Sequence, residues 1–150
     1  MKTLGFNLQK GQIRYSLLEG TKDNPILIEK NLHKVISSPS IPNLMDWFET
    51  TFQSLIIRLE PDKIAYRLAL EPKRVQISYL TFPYAVLNLI AYKKELPIAE
   101  YTSGNFVASK FGLDKKVDIY KYCDKVFGIN PPYWDTNQKY SVIAAWLELD

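Results

Sequence analysis

Histidine occurs once in the chain, at position 33, and cysteine once, at position 123. A single cysteine forbids an intramolecular disulfide, and this inventory excludes Cys/His zinc clusters and histidine-based catalytic triads. No apolar run approaches the ~18 residues of a membrane span, and the first residues lack the apolar core of a signal peptide. A cytoplasmic protein with no membrane partner is therefore expected. Excess charge is also scarce. A formal +3 and a pI near 8.8 suit a nucleic-acid partner. They fall far short of the basic footprint of a dedicated DNA binder. Repeats, low-complexity tracts and linkers are absent too.

The chain does have enough length and apolar content for a core. Its 150 residues, 47% apolar and 23% charged, are those of one ordinary globular domain, residues 1–150. Aromatics make up 13%, ten of them tyrosines, which suggests a rich core or an adhesive face.

The first third reads as strand. "KTLGFNL", "QIRYSLLEG" and "NPILIEKNLHKVI" are rich in branched and aromatic residues and are broken by "QKG" and "GTKDNP". Their short connections predict an antiparallel meander. Leu44, Trp47, Phe48, Phe52, Leu55, Ile56 and Leu59 then recur at helical spacing until Pro61. "DKIAYRLAL" suits a buried strand, "TFPYAVLNLIAYKKEL" a helix with a basic C-terminal end, and "PIAEYTS" a further strand. "KVDIYKYCDKVFG" predicts a helix ended by Gly128, and Asp135 a cap for a last helix over "DTNQKYSVIAAWLEL". The expectation is an α/β domain of ribonuclease H-like layout, a mixed five-stranded sheet flanked by helices. Its strands are placed near 2–8, 12–19, 25–36, 63–69 and 97–101, with Asn7 and Arg67 at adjacent strand ends.

"EPDKIAYRLAL", "YAVLNLIAYKKELPIAEYTSGNFVASKFGLDKK" and "YSVIAAW" carry a more specific likeness. Together they resemble the RuvC-type Holliday-junction resolvases, in which a Pro-Asp precedes a strand ending in Glu and a helix leads into an "-ELPV-EY" strand. The likeness covers residues 1–20 and 60–147. It implies a homodimer partly built on the "TFPYAVLNLIAY" helix, and a branched or structured nucleic acid as partner.

The resolvases use four carboxylates, because two hard divalent cations must be held by anionic oxygens. The resemblance places Asn7, Arg67, Asn137 and Tyr140 at these positions, with Asp135 as a partial substitute should the register slip. Asn7 is neutral, and Arg67 puts a fixed positive charge where Mg²⁺ belongs. The inherited chemistry is expected to be lost, with no metal and no cofactor. Other family features are missing as well. The Gly-rich turn after the first strand is replaced by "LQKG", the basic loop and helix-start residues fall on Val107 and Asp118, and the aromatic wedge has only Leu70 in its place. Lys73, Arg74, Lys110, Lys115 and Lys116 lie on loops that would rim the cleft and are the candidate nucleic-acid contacts.

Each singled-out residue also has a plainer role. Arg67 would pair with a neighbouring carboxylate, or else hold a phosphate. Asn7 would form a turn. Tyr120, Tyr122, Tyr133 and Trp134 would be core or interface aromatics rather than base-stacking platforms. Cys123 would be a buried, inert thiol and His33 simply exposed. Glu60, Asp62, Glu71, Glu95, Glu100, Asp114, Asp118 and Asp135 are scattered over helix ends and loops. The leading expectation is a catalytically inactive resolvase relative that binds nucleic acid or serves as an accessory protein. Two alternatives stand beside it. One is a structure-specific endonuclease using Mg²⁺ or Mn²⁺ at a displaced site, and the other is a protein-interaction subunit without nucleic-acid affinity.

Overall fold

A computed structural model describes all of residues 1–150. Five strands form one sheet in the order β3-β2-β1-β4-β5: β1 (Lys2–Gln9), β2 (Gln12–Gly20), β3 (Pro25–Lys34), β4 (Lys63–Arg67) and β5 (Ile98–Tyr101). The first three are antiparallel neighbours, whereas β4 runs parallel to β1 and β5 parallel to β4. Gly11, at φ +83°, supplies the left-handed position that lets two residues join β1 to β2. The expected mixed five-stranded sheet is present.

Alternation along the strands decides which layer each side chain joins. On one face Leu4, Phe6 and Leu8 of β1, with Ile64 and Tyr66 of β4, pack under α1 (Ile41–Leu59) and α3 (Phe82–Lys93). Helix α1 presents Leu44, Phe48, Phe52, Leu55, Ile56 and Leu59 to this core. The Ser40 hydroxyl caps its first turn, and Pro61 follows its left-handed C-cap Glu60. A single helical turn, α2 (Ile77–Leu80), precedes α3, so the helix expected to begin at Thr81 is shorter and has an added turn before it.

The opposite face carries α4 (Ile119–Phe127) and α5 (Thr136–Leu147). Asp118 and Asp135 cap them, each accepting from backbone N–H groups of the first turn. Helix α5 is buried along most of its length, and it lies so close to the sheet that only Gly5 fits beneath it. A Cβ at Gly5 would sit 2.0 Å from the Ser141 carbonyl oxygen. No helix is long and apolar enough to cross a membrane.

Strand β4 ends at Arg67, two residues earlier than its apolar run suggests. Leu68 donates one last backbone bond to Tyr101 at 2.7 Å, and the chain then turns away. Likewise β3 ends at Lys34 rather than at residue 36.

Candidate nucleic-acid interface

Asn7 and Arg67 are direct partners in the parallel β1–β4 register. The alternation that sends Phe6 and Tyr66 toward α1 sends these two toward the first turns of α5. Asn7 is therefore completely buried inside a strand, and its expected role as a turn residue is incorrect. Its position is fixed by the sheet, and the turn comes only at Lys10 and Gly11.

Four side chains meet here. The Asn7 Nδ2 donates to Asn137 Oδ1 at 3.4 Å, and Arg67 Nη1 donates to Asn7 Oδ1, also at 3.4 Å. The Arg67 guanidinium carbon lies 4.0 Å from the centre of the Tyr140 ring. Tyr140 in turn touches Tyr120 edge-on, with 5.8 Å between ring centres, and leans on Phe106. Burial pushes the Tyr120 hydroxyl up to about 12, and Tyr140 beside it adds to the effect while Arg67 opposes it.

The expected carboxylate partner of Arg67 does not exist. The ion pairs of the molecule are Arg14–Asp135, Arg58–Glu29, Lys63–Asp150 and Lys139–Asp124. The nearby acids are occupied elsewhere: Glu100 accepts from the Tyr66 hydroxyl at 2.6 Å, and Asp118 caps α4. Arg67 Nε is sealed from solvent with no hydrogen-bond partner. A guanidinium is thus stacked on an aromatic ring and partly desolvated without a counter-charge.

Asp135, the possible substitute acid, is also committed. Arg14 Nη1 and Nη2 each donate to one of its carboxylate oxygens at 3.1 Å, and the Gln138 N–H donates to it at 3.0 Å. Arg14 is only 3% exposed and further bonds the Tyr133 carbonyl and Gln12. This clamp fixes the entry to α5, yet nothing singles it out in the sequence except a charged residue at an inward position of "QIRYSLL". No three His, Cys, Asp or Glu side chains cluster to hold a metal ion. The residues at the cluster do not fit a divalent-metal site.

Lys73, Arg74, Lys110, Lys115 and Lys116 are all exposed and take part in none of the ion pairs. Lys73 and Arg74 follow the end of β4 that carries Arg67, whereas Lys110, Lys115 and Lys116 follow β5 on a segment whose Phe111 and Leu113 pack beside Lys22, Asp23 and Trp146, toward the opposite end of the sheet. Leu70 is 70% exposed on the same segment as Lys73, and Val107 is 42% exposed.

The other candidates pack against neighbouring side chains. Tyr120 and Tyr122 are half-buried against Tyr140 and Trp146, and Trp134 donates to Asp124 at 2.5 Å. Tyr133 is exposed but lies over Arg14, 5.6 Å from ring centre to guanidinium carbon. Cys123 is buried, which pushes its thiol up to about 12, and His33 is exposed and stacked on Tyr15. The largest cavity, about 600 Å³, lies between α1 and the β2–β3 face, away from the cluster. It is lined by Tyr15, Glu29, His33, Trp47 and Arg58 among others, and its two oppositely charged side chains, Arg58 and Glu29, form a bidentate pair.

The fold is that of the RuvC-like branch of ribonuclease H-like proteins. Thermus thermophilus RuvC in complex with Holliday junction substrate superposes with a TM-score of 0.73 at 11% identity, over 98% of this chain and 91% of that one. The yeast mitochondrial Holliday junction resolvase Ydc2 gives 0.75 at 10% identity, over 97% and 76% of the two chains. The fowlpox virus Holliday junction resolvase gives 0.55 at 10% identity, over 98% and 93%. No family model and no curated protein sequence matches the chain.

Proposed function

We propose that this protein is a metal-free relative of the junction resolvases that binds branched or structured nucleic acid and does not cut it. One observation carries the reading. The side chains of Asn7, Arg67, Asn137 and Tyr140 converge near the C-terminal ends of the central strands β1 and β4 without a single carboxylate, and a cation stands among them. A divalent ion about 4 Å from that guanidinium would meet a repulsion of roughly 8 kcal/mol at an effective dielectric of 20. No anionic oxygen in the cluster offsets it.

The T. thermophilus RuvC neighbour is a complex with its junction substrate, and the fowlpox enzyme has also been seen with junction DNA. Shared shape makes a branched duplex the first ligand to test. Lys73, Arg74, Lys110, Lys115 and Lys116 are the backbone contacts of this reading. A homodimer and a cytoplasmic setting belong to it as well.

The test is incubation with a labelled four-way junction in Mg²⁺ or Mn²⁺, read for both retention and cleavage. Retention without cleavage is expected, and millimolar Mn²⁺ should leave the melting temperature unchanged, since a bound ion would raise it by mass action. The double change Asn7→Asp with Arg67→Glu should not create a nuclease, because Asn137 and Tyr140 still supply no charge. Metal-dependent cleavage by the unaltered protein would refute the proposal, as would failure to retain any nucleic acid at low salt.

A further inference from the structure

We infer that Arg67 itself is a phosphate ligand, taking a backbone phosphodiester directly at the place where the resolvases work through metal ions. The inference rests on the nucleic-acid reading above and goes further, since it assigns the contact and its chemistry.

The argument starts from what Arg67 lacks. A guanidinium carries five N–H donors, and a partly buried one ordinarily spends them on a carboxylate or on carbonyls. Arg14, one strand away from Asn7, makes four such bonds, two of them to the Asp135 carboxylate. Arg67 makes one long bond, to the neutral Asn7 amide, and its Nε makes none. Its Nη2 bonds nothing in the chain, and it is not among the sealed atoms without a partner, so it faces solvent. The charge is held in place by Tyr140 and left unanswered.

A phosphodiester fits what remains. Its single negative charge balances a single guanidinium, and its two free oxygens match the fork formed by Nη1 and Nη2. Stacking on Tyr140 fixes the plane of that fork and lowers the ordering cost of binding. The hydroxyls of Tyr120 and Tyr140 have no hydrogen-bond partners within the chain, and their rings belong to the same packed group as the guanidinium. With its pKa pushed up to about 12, the Tyr120 hydroxyl stays protonated, and so able to donate, throughout the physiological range. Asp118, the acid closest in sequence to Tyr120, accepts from the first N–H groups of α4, where the helix end offsets its charge.

The experiment uses the whole protein in EDTA, so that no metal can mediate contact. A four-way DNA junction, a dinucleoside monophosphate and inorganic phosphate are titrated separately. Arg67 Nε–H is followed by nuclear magnetic resonance, and junction affinity is measured across salt. Arg67→Gln should weaken junction binding about tenfold or more, and should reduce the slope of log K against log salt by about 0.9. Arg67→Lys should restore the slope and only part of the affinity, because it keeps the charge but loses the fork. Neither change should lower the melting temperature, since each relieves or preserves an unpaired cation.

If the unaltered protein binds the junction and Arg67→Gln binds it equally with the same slope, this inference is overturned while the nucleic-acid reading stands. If the junction is not bound but the Arg67 resonance moves with dinucleoside monophosphate or inorganic phosphate, the anion site stands and the nucleic-acid reading falls. No junction binding, together with a resonance that moves with none of the three, refutes both.

Discussion

Gly5→Ala should be among the most damaging single-methyl additions in this chain. Gly5 lies in β1 beneath α5, and a Cβ built there comes 2.0 Å from the Ser141 carbonyl oxygen and 2.9 Å from the Ala145 Cβ. Ordinary contact begins near 3.4 Å, so the helix must retreat by about 1.4 Å. A flexible side chain could rotate away, but a helical carbonyl can move only with its helix. Helix α5 has little room, because Val142 to Leu147 are buried on the sheet and under the neighbouring aromatics. Overpacking of this kind costs about 1–3 kcal/mol, and rigid backbone places the change at about 3. For a domain of this size that lowers the melting temperature by roughly 6–12 °C. The same displacement would pull Asn137 and Tyr140 away from Asn7 and Arg67, so junction affinity should fall along with stability. Calorimetry of Gly5→Ala beside Gly104→Ala makes the comparison, because a Cβ at Gly104 meets nothing closer than 3.6 Å. If the two variants melt within about 2 °C of each other, the close approach of α5 to β1 has been misjudged.

Replacing Lys115 and Lys116 together by Ala should flatten the salt dependence of junction binding by about two units while leaving the melting temperature unchanged, since both are exposed and unpaired; an unchanged slope would remove them from the interface. Glu29 offers a pH test. The Arg58 guanidinium, and to a lesser degree the Tyr15 hydroxyl, hold its carboxyl below the ordinary 4.5 against the opposing effect of burial. The folded state therefore binds this proton less readily than the unfolded chain. The pair's stabilisation is present above about pH 4.5 and disappears as pH falls through the folded value. Arg58 is half exposed, so Glu29→Gln should cost no more than about 1 kcal/mol at neutral pH. The gap between the variant and the unaltered protein in urea unfolding should close toward pH 3; a constant gap would show that the charge contributes nothing.

The sheet was legible because its alternation is clean. Leu4, Phe6 and Leu8 announce one face of β1, and Ile64 and Tyr66 continue it on β4, so Asn7 and Arg67 had to share the other. The approximate placement of Asn137 and Tyr140 near them followed from the likeness to the resolvases, and not from any local pattern. Hydropathy pattern reports whether a position is buried, but not which distant polar group it meets. That is why the Arg14–Asp135 clamp, 121 residues apart in sequence, left almost no trace, and why a carboxylate was expected for Arg67. Strand ends were misplaced for a similar reason. Leu68 is apolar enough to continue β4, but pairing with β5 runs out after Tyr101.

Asn7 sits between two arginines, opposite Arg14 across the antiparallel pair and opposite Arg67 across the parallel one. The two cations start from equivalent places on one sheet face, and the chain treats them differently. Arg14 receives a bidentate carboxylate and a backbone carbonyl, and in return fixes the N-terminus of α5. Asp135 is the acid best placed for that work, and once it is taken no second acid comes within ion-pair distance of Arg67. An unpaired, half-buried cation costs stability, and an apolar or amide side chain at the end of β4 would avoid that cost. A purely structural arginine here should resemble Arg14. That it does not is the physical ground for assigning its counter-charge to a ligand that arrives from outside the chain.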